Sequence, residues 1–231
     1  MKNGYITRLK IFIFVLCLAP LFMLLWKGLH EALGANPIEV ITHSTGKWTL
    51  IFLLITLSIT PLRKITAQPW LIRFRRMLGL YAFFYGCLHL MTWVWLDKFF
   101  DLHEMWADIL KRRFITVGMA ALILMLPLAI TSTKGWIGRL GGKRWSALHK
   151  LIYVSASLGV IHFLWLVKAD KREPERYGIV LGFLLLWRAG AWLVAKFRNN
   201  METPRLAEMV TTKAEAPAFR PVKPSPSEKG L

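Results

Sequence analysis

Acidic residues are scarce in this chain. Its 231 residues carry 13 Asp and Glu against 31 Lys and Arg, a formal net charge of +18. No carboxylate falls inside any of its six long apolar runs, which argues against a proton-coupled transporter, since such relays often use Asp or Glu within the membrane. Cysteine is equally sparse. Cys17 and Cys87 stand alone in apolar runs and form no C-x-x-C pair, so neither a disulfide framework nor a zinc site is expected, and both read as small buried hydrophobes. No G-x-G-x-x-G fingerprint occurs, so direct use of NADPH by this chain is not expected. The connections between apolar runs are short and hang no catalytic domain from them. No internal repeat is evident.

What the chain has is apolar length. Residues of hydrophobic type make up 55% of it, and six stretches approach or reach the roughly 20 residues that span a bilayer: Ile11–Leu29, Trp48–Leu62, Met77–Leu96, Phe114–Thr133, Ala147–Val167 and Tyr177–Ala195. The fold class that follows is all-α, an integral membrane bundle of six transmembrane helices. The second stretch is short and is expected to stop or kink at Pro61. The first resembles a signal peptide in its flanking Lys2, Arg8 and Lys10 and in Ala32-Leu33-Gly34, but its apolar run is longer and more aromatic than a signal core; it reads as an anchor.

The positive charge would suit nucleic acid, but it lies in short clusters between the apolar runs, so nucleic-acid binding is not expected. The N-terminus and the second and fourth connections are basic and free of acid, with Arg63, Lys64, Arg73, Arg75 and Arg76 in one and Lys134, Arg139, Lys143 and Arg144 in the other. The alternate connections mix in Glu31, Glu39, Asp97, Asp101, Glu104, Asp108, Asp170, Glu173 and Glu175. By the positive-inside rule both termini are cytoplasmic. Residues 1–198 form the membrane domain; 199–231, where Pro204, Pro217, Pro221, Pro224 and Pro226 stand among charged and small residues, read as a disordered cytoplasmic tail.

Three histidines lie in or at the ends of spans, where an ionisable group points to function. His89 is twelve residues beyond Met77 and His162 fifteen beyond Ala147; the two spans run the same way, so these rings share a height in the outer half. Gly79, Ala82 and Gly86 share a face with His89, and Ser155 and Gly159 with His162. The small faces leave clearance for a flat macrocycle between two axial histidines, and equally suit helix packing around a hydrogen-bonded pair. His149 sits about 20 Å lower on the same expected helix, with Arg75 and Arg76 at its height on the third span. On an ideal helix it points about 140° away from His162, so either the helix is distorted or two cofactors lie on different sides of it. His30, His43 and His103 fall on the outer side. Arg188, inside the sixth run, either snorkels to the cytoplasmic surface or meets a haem propionate; Arg75 and Arg76 have a plain role as topology charges and a sharper one as a clamp for propionate or flavin phosphate.

Several stretches together resemble the MsrQ family, haem-binding membrane subunits of the bacterial periplasmic methionine sulfoxide reductase system, within the wider ferric reductase-like transmembrane group. They are Leu33-Gly34-Ala35-Asn36-Pro37, His43-Ser44-Thr45-Gly46, Ile59-Thr60-Pro61-Leu62, Gln68-Pro69-Trp70 through Gly79-Leu80, Leu88-His89-Leu90, Thr131-Ser132-Thr133, Lys143-Arg144-Trp145 with Leu148-His149, and Ile161-His162-Phe163-Leu164-Trp165. The resemblance covers the chain to about residue 198. It implies a multi-pass b-type cytochrome of the bacterial inner membrane with one or two haems b, associated with FMN. Such a protein takes electrons from the quinone pool and passes them to a periplasmic molybdopterin-containing partner, which reduces methionine sulfoxide in oxidised proteins. His89, His149 and His162 match the family's haem-ligand histidines; His43 matches a family position without a ligand role. Members of the wider group often carry a further histidine low on the third span, where this chain has Arg75 and Arg76. The substrate-reducing site is expected on the partner. A ferric or other metal reductase, or a non-redox transporter or assembly factor with structural histidines, are the alternative readings.

Overall fold

A computed structural model describes the backbone of residues 3–215 and the side chains of residues 4–198, Lys134 apart. All the regular structure among them is helical: α1 (Asn3–Leu29), α2 (Pro37–Thr66), α3 (Ile72–Met91), α4 (Leu102–Lys111), α5 (Arg113–Ile130), α6 (Lys134–Leu140), α7 (Gly142–Leu148), α8 (Leu151–Leu166) and α9 (Arg172–Glu215). A 3₁₀ turn over Pro69–Leu71 leads into α3, and a π-helical turn over Thr92–Asp97 leads out of it. Six stretches are long and apolar enough to cross a membrane: Gly4–Leu29, Pro37–Thr66, Pro69–Asp97, Arg113–Ile130, Gly142–Leu166 and Arg172–Arg198.

The second span departs most from its expected limits. The Asn36 side chain caps its start by accepting from the Glu39 amide, with Pro37 in the first turn, where a missing N–H costs nothing. It then runs through Pro61 to Thr66. Pro61 withholds only one donor, near the helix end, and the apolar helix continues past it.

The chain divides into two compact units, residues 1–187 and 188–231. In the first, the most extensive packing is between α2 and α3 and between α5 and α8; each couple is an antiparallel hairpin. The core lies where they meet, around Leu53, Leu57, Tyr85 and Ala156. α1 docks onto α3 through two tyrosines a turn apart. Tyr81 donates to the Phe14 carbonyl at 2.9 Å, and Tyr85 donates to the Cys17 carbonyl at 2.9 Å while accepting from the Leu21 amide at 3.3 Å. Pro20 sits beside this gap in the α1 ladder, and the Tyr85 hydroxyl fills it. The second unit continues α9 as helical backbone to Glu215. The boundary expected at residue 198 thus falls inside a helix, and residues 216–231 lie outside the described part.

Candidate functional site

The region from Trp145 to Trp165 is not one helix. α7 ends at Leu148 and α8 begins at Leu151. Across the break, the Lys150 amide bonds to the Ala147 carbonyl and the Tyr153 amide to the Lys150 carbonyl, three residues apart instead of four. The 140° expected between His149 and His162 assumed an unbroken helix; with this break between them, both histidines meet α5. His162 Nδ1 lies 2.6 Å from the Phe114 carbonyl near the start of α5, and His149 Nε2 lies 3.1 Å from Thr131 Oγ1 just past its end. Between them Ser155, fully buried, donates to the Ala121 carbonyl.

His89, on α3, is held in the same way by the partner helix of its own hairpin. Its Nδ1 lies 3.0 Å from the Thr42 carbonyl of α2. In each hairpin the residue four places after that carbonyl is a glycine with the histidine ring over it. A Cβ on Gly46 would lie 3.0 Å from His89 Nδ1 and Cε1, and one on Gly118 would lie 2.6 Å from His162 Nδ1. Neither glycine figured among the small residues expected to clear the site. Their signal was a glycine inside an apolar helix, which costs about 1 kcal/mol against alanine and marks close approach. Of the expected clearance residues, Gly86, Ser155 and Gly159 do line the site. Ala82 is fully buried, and Gly79 abuts Thr56 of α2.

These bonds decide the chemistry of the rings. A carbonyl oxygen can only accept, so each Nδ1 carries the hydrogen, and a neutral ring then keeps its lone pair on Nε2. Donating one nitrogen to a carbonyl while presenting the other is how metal-binding histidines are commonly oriented. The two ring centres are 6.0 Å apart with planes at 76°. Metal–nitrogen bonds of about 2 Å, with each ring centre ~1 Å behind its nitrogen, place the centres of two axial imidazoles about 6 Å apart. No group of three or more His, Cys, Asp or Glu that could hold a metal occurs among the described residues. Two histidines would leave a bare ion short of ligands, but would complete an iron whose other four are supplied by a macrocycle.

The pair borders a cavity of about 520 Å³, within the usual range of cofactor sites, roughly 300–1,000 Å³. It is walled by α2, α3, α5 and α8, and its lining is graded. Leu50, Leu53, Leu122 and Met125 form the deep end; Asn36, Glu39, His43, Lys47, Asp97 and Arg112 stand at the end where α2 and α5 begin and α3 finishes. His43 therefore lines the mouth, with its Nε2 3.9 Å from Glu39.

His149 is elsewhere and in another state. The Thr131 hydroxyl gives its hydrogen to the Pro127 carbonyl at 2.6 Å, so toward His149 it accepts, and the ring hydrogen sits on Nε2. The Trp145 ring stacks on His149 at 4.0 Å and its indole nitrogen donates to the Thr131 carbonyl. Arg75 is within electrostatic reach of this ring, while Arg76 is exposed on α3. Neither arginine lines the cavity. Arg188 belongs to α9 in the second unit and is half-buried there.

Residues 45–160 match the family described as Ferric reductase like transmembrane component. Among similar curated proteins, the protein-methionine-sulfoxide reductase heme-binding subunit MsrQ of Herminiimonas arsenicoxydans is 53% identical over 198 residues, which cover 84% of this chain and 90% of the relative. The subunit of the same name from Rhodospirillum rubrum is 53% identical over 78% of this chain and 86% of its own length. That from Azospira oryzae is 47% identical over 94% and 89%. No solved structure matches.

Proposed function

Since the chain belongs to the MsrQ family of ferric reductase-like transmembrane proteins, we propose that it is the haem-binding membrane subunit of a protein-methionine-sulfoxide reductase. It holds a haem b between His89 and His162 and carries electrons across the bacterial inner membrane. The observation that carries this reading is the histidine pair, with both Nδ1 atoms donated to backbone carbonyls and ring centres 6.0 Å apart. Haem, when bound, supplies the one-electron redox step. The protein's part is to fix both rings before the cofactor arrives, to leave a lone pair on each Nε2, and to surround the site with apolar side chains that exclude water.

Direction follows from the basic connections. With both termini cytoplasmic, the polar mouth of the cavity opens to the outer side, and electrons leave there for a periplasmic catalytic subunit, forming a heterodimer with it. They enter at the opposite end from the quinone pool, by way of FMN, close to the basic residues Arg75 and Arg76. A second haem at His149 would meet Nδ1, the nitrogen left with a lone pair while Nε2 donates to Thr131.

The test is a reduced-minus-oxidised spectrum of the detergent-purified protein. Bands of low-spin b-type haem are expected. Reoxidation by the catalytic subunit together with methionine sulfoxide then assigns the electron acceptor. Absence of haem bands overturns the redox reading and favours structural histidines; ready oxidation by ferric chelates, with none by the sulfoxide reductase, favours a metal reductase.

A further inference from the structure

We propose that the polar mouth of the cavity is a carboxylate-binding site, in which Trp93 Nε1, Arg112 and Lys47 receive the two propionates of the haem and Asp108 sets the position of Arg112. The inference rests on the haem assignment above and adds the orientation of the cofactor and the residues that fix it.

The first observation is an orphaned donor. Trp93 lines the cavity, and its indole nitrogen is buried with no hydrogen-bond partner. A buried N–H of that kind costs about 1–3 kcal/mol if it stays unmet, and an indole can only donate, so what belongs opposite it is an acceptor. The second observation is the grading of the lining. A haem is apolar over most of its rim and anionic along one edge; the cavity is apolar at its deep end and carries its cations at the mouth. Only one orientation puts the carboxylates beside Lys47 and Arg112.

The mouth also carries anions, each held by a partner of its own. Glu39 accepts from Asn36 at 2.9 Å and faces His43, and Asp97 faces Lys98 at 3.9 Å. Lys47 is paired with Glu173, which leaves two of its three ammonium hydrogens for another acceptor. Arg112 contributes most of the specificity. Its Nε lies 3.3 Å from Asp108 Oδ1, while Asp108 Oδ2 is 2.8 Å from the buried Lys98 Nζ, which also bonds Glu104 at 2.8 Å. The arginine side chain is half exposed, at 53%, and Asp108 is nearly covered, at 11%. A long, mobile guanidinium is thus tethered through one edge by a fixed carboxylate, and the fork of its terminal amino groups can take a second carboxylate in the bidentate manner. Lys98 anchors Asp108, and through it the first turn of α5.

The full-length protein is loaded with haem in detergent, and two quantities are read for Trp93→Phe, Arg112→Gln and Asp108→Asn: the rate of haem transfer to apomyoglobin and the haem midpoint potential. Arg112→Gln should transfer haem about tenfold faster, the loss of one charge-assisted hydrogen bond, and its potential should fall because a cation beside the haem favours the reduced state. Trp93→Phe should release haem a few-fold faster. Asp108→Asn should speed haem transfer as Arg112→Gln does and add little to it in the double variant, and the effect should vanish with haem dimethyl ester; a purely structural role for Asp108 would speed release of the ester as well. Haem dimethyl ester, whose carboxylates are blocked, should dissociate equally fast from wild type and Arg112→Gln. Exposed Lys111→Gln should match wild type. Low-spin haem with wild-type transfer rates and potentials in all three variants overturns the propionate site and leaves the axial pair intact. Failure of the wild type itself to show low-spin haem overturns the underlying assignment instead.

Discussion

Replacing Gly118 by alanine adds a single methyl group where the structure has least room for one. The new Cβ would lie 2.6 Å from His162 Nδ1, 2.9 Å from Cε1 and 3.1 Å from Cγ, against an ordinary contact that begins at 3.4 Å. The ring or α5 must therefore retreat by about 0.8 Å. The ring cannot do so freely, because the same nitrogen is 2.6 Å from the Phe114 carbonyl. Overpacking of this kind costs about 1–3 kcal/mol, and a stretched or broken bond to that carbonyl about 1–3 more. Alanine returns about 1 kcal/mol through its helix propensity. The net, about 1–5 kcal/mol, corresponds to a fall in cofactor affinity from several-fold to several-thousandfold. Gly46→Ala, whose closest contact to His89 is 3.0 Å, should show the same defect more weakly. Gly182→Ala, with nothing within 4 Å, should behave as wild type or slightly better. The assay is haem-to-protein ratio with the low-spin spectrum of the purified variants, and thermal stability of the cofactor-free forms. Gly118→Ala with full occupancy and the stability of Gly182→Ala would refute the argument that this glycine exists to seat the ring.

Three further outcomes follow from the geometry. His89→Ala and His162→Ala should each lose the low-spin haem held between them, whereas His149→Ala, distant from that cavity, should retain it; pyridine haemochrome assay with spin-state spectroscopy separates the cases. Tyr85→Phe removes the hydroxyl that bridges the Cys17 carbonyl and the Leu21 amide, so the docking of α1 should weaken by about 1–2 kcal/mol, visible as faster proteolysis at the α1–α2 connection. Hydrogen bonds to Asp108 and then Glu104 raise Lys98 above the usual lysine range. A raised folded value means the stabilisation is complete below the unfolded lysine pKa, about 10.4, and is lost as pH rises through the folded value. Near-ultraviolet circular dichroism should therefore report loosening around α4 only at strongly alkaline pH, and Lys98→Met should abolish that transition.

The apolar runs located all six spans because hydrophobic length is a property of composition alone. Their ends were less legible. α2 begins eleven residues before Trp48, because an Asn cap and an N-terminal proline start a helix whatever the hydropathy of its first turns. Depth arithmetic put His89 and His162 at one height, and the structure brings their rings together. What no periodicity could show is the break at His149 and Lys150, where neither glycine nor proline marks the chain. The same holds for the carbonyls of Thr42 and Phe114, since a backbone acceptor leaves no trace in residue type. In the sequence the third connection stands out only by its charges. Its Leu102, Trp106 and Leu110 nevertheless fall on one stripe of α4, and its acids assemble around a buried lysine.

The two hairpins solve the same local problem with the same parts: a histidine on the second helix, a carbonyl on the first, and a glycine four residues further along. Each is complete in itself, and the two touch each other far more sparsely than their own helices do. Helices enter a bilayer before they pack, so each hairpin can acquire its oriented imidazole independently and still bind nothing. A cofactor gripped from both sides would then act as a rivet between two prefabricated halves, and its capture would be the last step of assembly. Bundle cohesion, and not only redox competence, becomes a function of haem supply.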